Sequence, residues 1–260
     1  MRAREYIEDL ASNGRYHFGS ADAFEAIAGS PAAVRAQLRR LKQQGLLAEP
    51  ARSFHVIVTP EYRRLGCLPA EQFIDQLMQV WGEPYYVALL SAAERHGAAH
   101  QRPQGCQVMV RKNREALACG QVRVEFIARG DLEQMPVAKV NTPRGVVRYS
   151  TPEVTALELV GYPSHAGGLS NVATVLSELA EELDAGKLLE AARLSPVSWS
   201  QRLGYILELL GQEDLAKAIA PFVLEHARSY TPLRRAAATA RAKRSPSWKL
   251  IVNAEVEPDA

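Results

Sequence analysis

The sequence predicts an α+β protein of two domains, a small helical domain at the N-terminus and a larger mixed α/β domain behind it. Apolar residues recur at helical spacing through the first 44 residues. Short β-branched segments with partial alternation begin after Gly105, and an almost unbroken helical pattern runs from Ser170 to Phe222. The length of 260 residues, with 47% apolar and 23% charged residues, suits two globular domains.

The N-terminal domain begins with three predicted helices. The first lies within residues 2–12 and the second within residues 20–27. Gly29-Ser30-Pro31 then supplies a helix terminator, an N-cap and a proline at the first helical position, so a third helix follows a tight turn. Within this helix, residues 31–44, one apolar stripe faces the core and consists of Val34, Leu38 and Leu41.

The opposite face of the third helix has small side chains at its start and basic or amide side chains further on. Small residues let a helix approach a groove closely, and Arg and Gln suit contacts with base edges and phosphates. Behind Gly45, residues 46–48 and 54–58 predict a two-stranded wing with Arg52 at its tip. Two helices, a tight turn, a third helix and a wing are the order of a winged helix-turn-helix. The phrase VRAQLRRLKQQGLL resembles the recognition helix and first wing strand of such domains.

We therefore expect residues 1–66 to be a domain that binds double-stranded DNA. The third helix would enter the major groove, Ser30 and the helix N-terminus would contact phosphate, and Arg52 would reach the neighbouring backbone. The predicted DNA-binding residues are Ser30, Ala32, Arg35, Gln37, Arg39, Arg40, Gln43 and Arg52. A winged helix that docks a protein is the alternative, because any amphipathic helix exposes such side chains.

The net charge of +2 conceals an uneven distribution. Residues 1–66 have ten bases against seven acids, and residues 228–260 have seven bases against three acids. Residues 67–227 are acidic, with fourteen bases against nineteen acids. Two basic ends around an acidic middle indicate nucleic acid more strongly than the total does, although basic stretches are also common on ordinary solvated faces.

Residues 67–260 are the predicted second domain, a larger mixed α/β region with a small sheet and many helices. Helices are expected at residues 70–81, 85–96 and 152–161, and further helices between Ser170 and Phe222. The expected strands are residues 108–110, 122–127, 137–140, 145–149 and 248–252.

Catalytic and metal-binding patterns are weak throughout the chain. His96 and His100 have a metal-ligand spacing, but Gly97 interrupts their helix and no third ligand lies nearby, so a structural or surface role is expected. Glu125 lacks the lysine that a nuclease motif would place beside it. Residues 167–170, Gly-Gly-Leu-Ser, precede a helix but lack the frame of a phosphate-binding loop. We expect no catalytic residue, no metal, no cofactor and no enzymatic activity.

The cellular location is expected to be the cytoplasm. The apolar stretches are shorter than the ~18 residues that a membrane span needs, and the first residues lead into no signal-type apolar core. Three scattered cysteines are too few for a disulfide framework or a zinc site. No membrane partner is therefore expected.

The predicted second domain also contains sequence segments that are more specific than a general helix or strand pattern. They are YYVALLSAAERHGAAHQ, VNTPRGVVRYSTPEVTALELV, GGLSNVATVLSELAEEL, QRLGYILELLG, TPL and WKLIVN. In this order behind a winged helix, they closely resemble the AbiEi family, the antitoxins and transcriptional repressors of type IV abortive-infection toxin-antitoxin systems. Each phrase alone is unspecific, but the order and spacing together are fairly specific. The resemblance runs over nearly the whole chain.

The resemblance implies a protein with two tasks. The N-terminal domain would bind inverted repeats in the promoter of its own operon, with two copies of the protein on a palindromic operator. The C-terminal domain would counteract a nucleotidyltransferase-like toxin encoded next door, without a stable complex between the two proteins. Bases of the second domain that are candidates for a secondary nucleic-acid contact are Arg144, Arg148, Arg234 and Arg235.

Other interpretations remain for the second domain. Each of its candidate bases could equally be an ordinary surface charge or part of a buried ion pair. The domain could be a divergent nuclease fold with enzymatic activity, or it could sense a ligand and so regulate a winged-helix DNA-binding protein. Mg²⁺-dependent cleavage of nucleic acid would support the nuclease, and effector-dependent release from DNA would support the sensor.

Overall fold

The computed structural model describes residues 1–98 and 103–257. The chain is a mixed α+β protein, as its sequence predicts. It divides into two compact units that do not follow a single cut in the sequence. The first unit consists of Met1–Tyr86, Gln104–Leu132 and Lys139–Arg148, and the second of Val87–Pro103, Glu133–Ala138 and Tyr149–Ala260.

The N-terminal part of the first unit contains three helices and three short strands. In chain order these are α1 (Ala3–Ser12), β1 (His17–Gly19), α2 (Ser20–Ala26), α3 (Pro31–Gln43), β2 (Leu47–Ala51) and β3 (Phe54–Ile57). The strands form an antiparallel sheet in the order β1-β3-β2. The helices and the β2-β3 hairpin lie where the sequence predicts them. Strand β1 is an addition, because three residues are too few to show an alternating pattern.

A hydrophobic core of its own holds this part of the first unit together. The α3 residues Val34, Leu38 and Leu41 are buried, as their spacing predicts, and they belong to one cluster with residues of α1 and β1. Each fully buried aliphatic side chain of this kind contributes roughly 1.5–3 kcal/mol to folding. At the start of α3, the hydroxyl of Ser30 accepts a hydrogen bond from Ala33 N at 3.3 Å.

The remaining segments of the first unit contribute most of a six-stranded sheet. Its strands in chain order are β4 (Tyr85–Val87), β5 (Cys106–Val110), β6 (Leu117–Cys119), β7 (Val122–Ala128), β8 (Val137–Thr142) and β9 (Gly145–Ser150). Helix α4 (Ile74–Trp81) precedes β4 in the first unit, and α5 (Leu89–Arg95) follows β4 in the second unit. The strand order is β6-β7-β5-β4-β9-β8. β5 and β7 are parallel, β4 and β9 are parallel, and β6 and β7 are antiparallel.

The prediction of one helix over residues 85–96 is wrong in its first part. Residues 85–87 are β4, an interior strand of the sheet, and α5 begins only at Leu89. All three β4 residues are buried. A strand buried on both faces loses its alternation, so its apolar pattern cannot be told from that of a buried helix. The helix predicted at residues 70–81 likewise starts later, at Ile74, after a 3₁₀ turn.

The second unit is dominated by helices. They are α5, which is already described, and α6 (Pro152–Gly161), α7 (Leu169–Leu179), α8 (Ala185–Arg193), α9 (Val197–Leu209) and α10 (Glu213–His226). A small sheet follows, with the order β10-β12-β11, and its strands are β10 (Thr231–Pro232), β11 (Lys243–Ser245) and β12 (Leu250–Val252). Within the described residues, no helix combines the length and apolar character needed to cross a membrane.

Helix α6 lies at the centre of the second unit. Every residue from Glu153 to Val160 is buried, and α6 packs against α5, α7, α8 and α9. The side chain of Thr151 accepts a hydrogen bond from Val154 N and so caps its start. Two glycines of the unit allow a close approach of tryptophan rings, because Gly161 lies against Trp199 and Gly204 lies against Trp248.

Because Trp248 packs directly on Gly204 of α9, we expect a single methyl group added at Gly204 to destabilise the fold. A Cβ atom on Gly204 would lie 2.0 Å from Cζ3 of Trp248, a fully buried side chain that cannot move aside without disturbing its neighbours. We expect Gly204→Ala to lower the free energy of unfolding in urea by about 1–3 kcal/mol. Gly130→Ala is the matched control, since Gly130 has open space around it and a change of only a few tenths is expected. Equal stability of the two variants would contradict this packing.

Candidate nucleic-acid interface

Helix α3 presents an exposed face that is free of acidic residues. Because the helix buries Val34, Leu38 and Leu41, the positions between them face outward. The exposed residues of this face are Ala32, Ala33, Arg35, Arg39, Arg40 and Gln43. No Asp or Glu occurs between Ser30 and Gln44. The face is therefore a positively charged surface with small side chains at its N-terminal end.

Arg39 and Arg40 carry the charge of this face. Both side chains are exposed. Among the residues that the structure describes, neither forms a salt bridge, whereas Lys42 in the next turn is paired with Glu49. Unpaired guanidinium groups keep all their donors available for an anionic partner.

Two flanking residues of α3 already have contacts within the first unit. The guanidinium of Arg35 lies 5.4 Å from the ring centroid of Phe24, so it is exposed but oriented by a cation–π contact. The side-chain oxygen of Gln37 accepts a hydrogen bond from Ala3 N at 3.0 Å and thereby connects α3 to the start of α1. Gln37 thus has a structural task that its sequence position did not reveal.

The N-terminus of α3 retains one free backbone donor. Pro31 has no N–H, and the N–H of Ala33 is satisfied by the hydroxyl of Ser30. The N–H of Ala32 has no acceptor in the described part of the chain. Because the helix dipole adds partial positive charge here, this donor is suited to a phosphate oxygen.

The hairpin between β2 and β3 places Arg52 on an exposed turn. The turn is held on both sides, because Ser53 N donates to Glu49 Oε1 at 3.0 Å and Ser53 O accepts from Ser20 N at 3.0 Å. Ser53 itself has a positive φ of 64°. Arg52 therefore projects from a braced turn.

Glu49 supports this hairpin as a carboxylate. Partial burial raises its pKa, but hydrogen bonds from Lys42 and from the backbone of Ser53 outweigh burial and hold the pKa below its ordinary value. The neighbouring His55 has a pKa lowered mainly by burial. At neutral pH the hairpin is thus held by an ionised Glu49 and a neutral His55.

Arg144, expected as a secondary nucleic-acid contact, is buried within the first unit. Its side chain is 8% exposed. The guanidinium lies 4.2 Å from the ring centroid of Tyr16 and 5.6 Å from that of Tyr62, and it donates to Thr59 Oγ1 at 3.1 Å. Its backbone oxygen accepts from Gln76 Nε2 at 2.9 Å. These contacts join the β8-β9 hairpin to α4 and to the segments before β1 and after β3.

The other three candidate bases lie in more open positions. Arg148 is half-buried, with its guanidinium 5.8 Å from the ring centroid of Tyr85 in the same unit. Arg234 and Arg235 are exposed in the second unit, in the segment that follows β10. They lie beside Arg202, a buried residue that sequence reasoning did not single out, because nothing in its helical surroundings indicates a cavity.

The residues considered for catalysis or metal binding have ordinary partners. His96 Nε2 lies 2.8 Å from Ser150 O, and His100 lies outside the described residues. Glu125 Oε2 accepts a hydrogen bond from Gln107 at 3.3 Å. In residues 1–98 and 103–257, no group of three or more side chains is placed to hold a metal ion.

Part of the predicted second domain is similar to a known protein family. Residues 86–209 match the model of the AbiEi antitoxin C-terminal domain. The match supports the AbiEi antitoxin family, in agreement with the resemblance of the sequence segments.

Solved structures add information about the fold. The crystal structure of the RV2827C protein from Mycobacterium tuberculosis is similar, with a TM-score of 0.69 and 16% sequence identity over 96% of this chain and 90% of that chain. At this identity the similarity concerns the fold alone. The solution structure of the antibiotic-resistance factor ANT(2'')-Ia has a TM-score of 0.31 and 12% identity over 59% of this chain and 89% of that chain, which is a low structural similarity. No curated protein sequence matches significantly.

The environment of Arg144 predicts a role in stability. Arg144→Ala removes two aromatic contacts, a hydrogen bond and an ion pair with Glu61, so we expect it to lower the free energy of unfolding by roughly 2 kcal/mol. Arg144→Lys should recover only part of this loss, because an ammonium does not stack as a guanidinium does. Arg148→Ala is the control and should change stability less. Urea denaturation measures all three, and a fully stable Arg144→Ala variant would refute the assignment.

Proposed function

We propose that the chain is a sequence-specific DNA-binding repressor of its own operon as well as an antitoxin. Residues 1–66 would be a winged helix-turn-helix domain, with α3 as the recognition helix and the β2-β3 hairpin as the wing. The observation that supports this most strongly is the exposed, acid-free face of α3 with two unpaired arginines. The order helix, strand, helix, helix, strand, strand is that of a winged helix.

Each part of the domain has a proposed contact with duplex DNA. Arg39, Arg40 and Gln43 would meet base edges and phosphates in the major groove, with Arg35 at the border of this contact. The free N–H of Ala32, beside the Ser30 cap, would bind a phosphate oxygen. Arg52 on the braced hairpin turn would contact the backbone beside the groove. Gln37 is placed at the edge of this surface, since its oxygen already accepts a hydrogen bond from α1.

The operator would contain inverted repeats that bind two copies of the protein. One recognition helix reads only a few base pairs, and a two-fold repeat matches two identical domains on one face of the duplex. The affinity would then depend strongly on salt, because each phosphate contact releases counterions.

The antitoxin task is proposed for the region that contains the family match. The match to the family model supports a role in a toxin-antitoxin system. The toxin would be a nucleotidyltransferase-like protein encoded next to this chain, and neutralisation would proceed without a stable complex. The chain itself would act without catalysis.

Loss of the two unpaired arginines should weaken DNA binding. For Arg39→Ala with Arg40→Ala, we expect the affinity for a duplex from the promoter of the chain's own gene to fall by more than about 1 kcal/mol, or roughly fivefold. The magnitude of the slope of log affinity against log salt should decrease by about one for each phosphate that the variant no longer binds. Fluorescence anisotropy at several salt concentrations measures both quantities.

A matched pair of substitutions controls for net charge. Lys187→Ala with Arg193→Ala removes the same two charges from exposed positions on α8 in the second unit. This variant should bind the promoter duplex as the unmodified protein does. The assignment fails if the α3 variant binds with unchanged affinity, or if both double variants are weakened equally.

Repression and toxin neutralisation should be separable in the full chain. Co-expression of the neighbouring toxin gene with the Arg39→Ala, Arg40→Ala variant, from a promoter that the protein does not control, should restore growth as the unmodified chain does. A reporter driven by the native promoter should at the same time lose repression. If the variant is folded but fails to neutralise the toxin, α3 also takes part in the antitoxin activity and the proposed division of tasks is wrong.

A further inference from the structure

The second unit contains a cavity of about 700 Å³ that the proposed DNA contacts do not use. It lies between the C-terminal end of α6, the N-terminal end of α7 and the segment behind β10. Tyr162 and Trp199 form an aromatic wall, with their ring centroids 5.3 Å apart. The volume is within the range of pockets that hold small organic ligands, roughly 300–1,000 Å³.

The N-terminus of α7 offers backbone donors to this cavity. Gly167 and Gly168 both have positive φ values, 75° and 97°, and line the cavity together with Leu169 and Ser170. No side chain among the described residues caps the helix. The N–H groups of Leu169, Ser170 and Asn171 have no acceptor in the same part of the chain. Three free donors at the positive end of an eleven-residue helix are suited to an anion.

Arg202 supplies an independent indication of an anionic ligand. It lines the cavity although only 3% of the residue is exposed. Its Nε donates to Pro232 O at 3.1 Å, and within the described part of the chain its terminal nitrogens have neither a hydrogen-bond acceptor nor a carboxylate partner. Burial and, to a smaller extent, the nearby charge of Arg235 lower the pKa of Arg202 to about 10. Arg202 is therefore a buried cation at neutral pH, an arrangement that is costly unless an anion compensates it.

The cavity has further positive charge at its entrance. Arg234 and Arg235 are exposed and line it. Among the described residues, the one carboxylate in the lining is that of Glu255, which is exposed and forms no ion pair with Arg202. The cavity thus has two arginines at its rim, a third arginine inside it and the positive end of α7. One carboxylate does not neutralise this positive charge.

We propose that this cavity is a binding site for a nucleotide-like phosphate compound. Its phosphate groups would lie between the free N–H groups of α7 and the guanidinium groups of Arg202 and Arg235, and the aromatic wall of Tyr162 and Trp199 would contact the base. Phosphate is also present in nucleic acids. The burial of Arg202 favours a small ligand, because this residue is only 3% exposed. The phosphates of a rigid duplex reach exposed side chains more readily than such a buried one.

Calorimetric titration of the full chain at low salt tests the proposal, with ATP, pyrophosphate and adenosine as separate probes. We expect ATP and pyrophosphate to bind and to raise the melting temperature, and adenosine to bind at least about tenfold more weakly, because it lacks the charged group. Arg202→Gln and Arg235→Ala should each weaken ATP binding by roughly tenfold or more. Arg228→Ala, which removes one exposed arginine outside the cavity, should leave ATP affinity unchanged.

A duplex oligonucleotide distinguishes the other source of phosphate. It is titrated into the Arg39→Ala, Arg40→Ala variant, so that binding through α3 does not interfere. If this duplex binds and Arg235→Ala abolishes that binding, while ATP and pyrophosphate do not bind, the cavity rim is a nucleic-acid contact and the small-ligand proposal is overturned. It is also overturned if ATP binds equally well to the Arg235→Ala variant. Arg235 is exposed, so its substitution decides the matter even if Arg202→Gln fails to fold.

Discussion

The burial of a single apolar stripe on α3 is the constraint on which the candidate interface depends. Val34, Leu38 and Leu41 pack into the N-terminal core, so the rotation of the helix about its axis is determined by the hydrophobic effect. Arg39 and Arg40 are exposed because their neighbours are buried. The same residues that stabilise the domain therefore decide which side chains are available to a partner, and no separate interaction is needed to orient the basic face.

Two buried arginines show that the environment of a charge matters more than its type. Arg144 contacts two tyrosine rings, donates to Thr59 and forms an ion pair with Glu61, so its charge has partners inside the first unit. Arg202 is also buried, but the only hydrogen bond of its side chain in the described structure runs from Nε to a backbone oxygen. A guanidinium with a carboxylate partner and aromatic contacts stabilises the fold, whereas one without a counterion in a cavity is a candidate for ligand binding.

Elements with a clear periodicity or capping signal could be predicted from the sequence, and those whose identity depends on their neighbours could not. The start of α3 follows from Ser30 and Pro31, and its buried side from the spacing of its apolar residues. The apolar pattern of β4 predicts a helix instead of a strand, because both faces of β4 are buried. The cavity around Arg202 is formed by the α6–α7 connection, α9 and the segment behind β10, which are distant in sequence. No local sequence pattern predicts contacts between such distant segments. The Gly167-Gly168 pair before α7 is the one sequence feature that points to the cavity.

The uneven charge of the sequence has two different physical meanings at its two ends. In α3 the bases have no acidic partners on their own face, so the positive charge is directed outward. In the C-terminal segment, Lys249 donates to the backbone oxygens of Leu224 and Ala227 at the end of α10, and Arg244 lies 5.1 Å from the ring centroid of Tyr230. Lys249 thus interacts with the negative end of the α10 dipole, and Arg244 makes a cation–π contact with the ring of Tyr230. A count of charges in the tail therefore overstates what is free for nucleic acid, and the argument for DNA binding rests on α3.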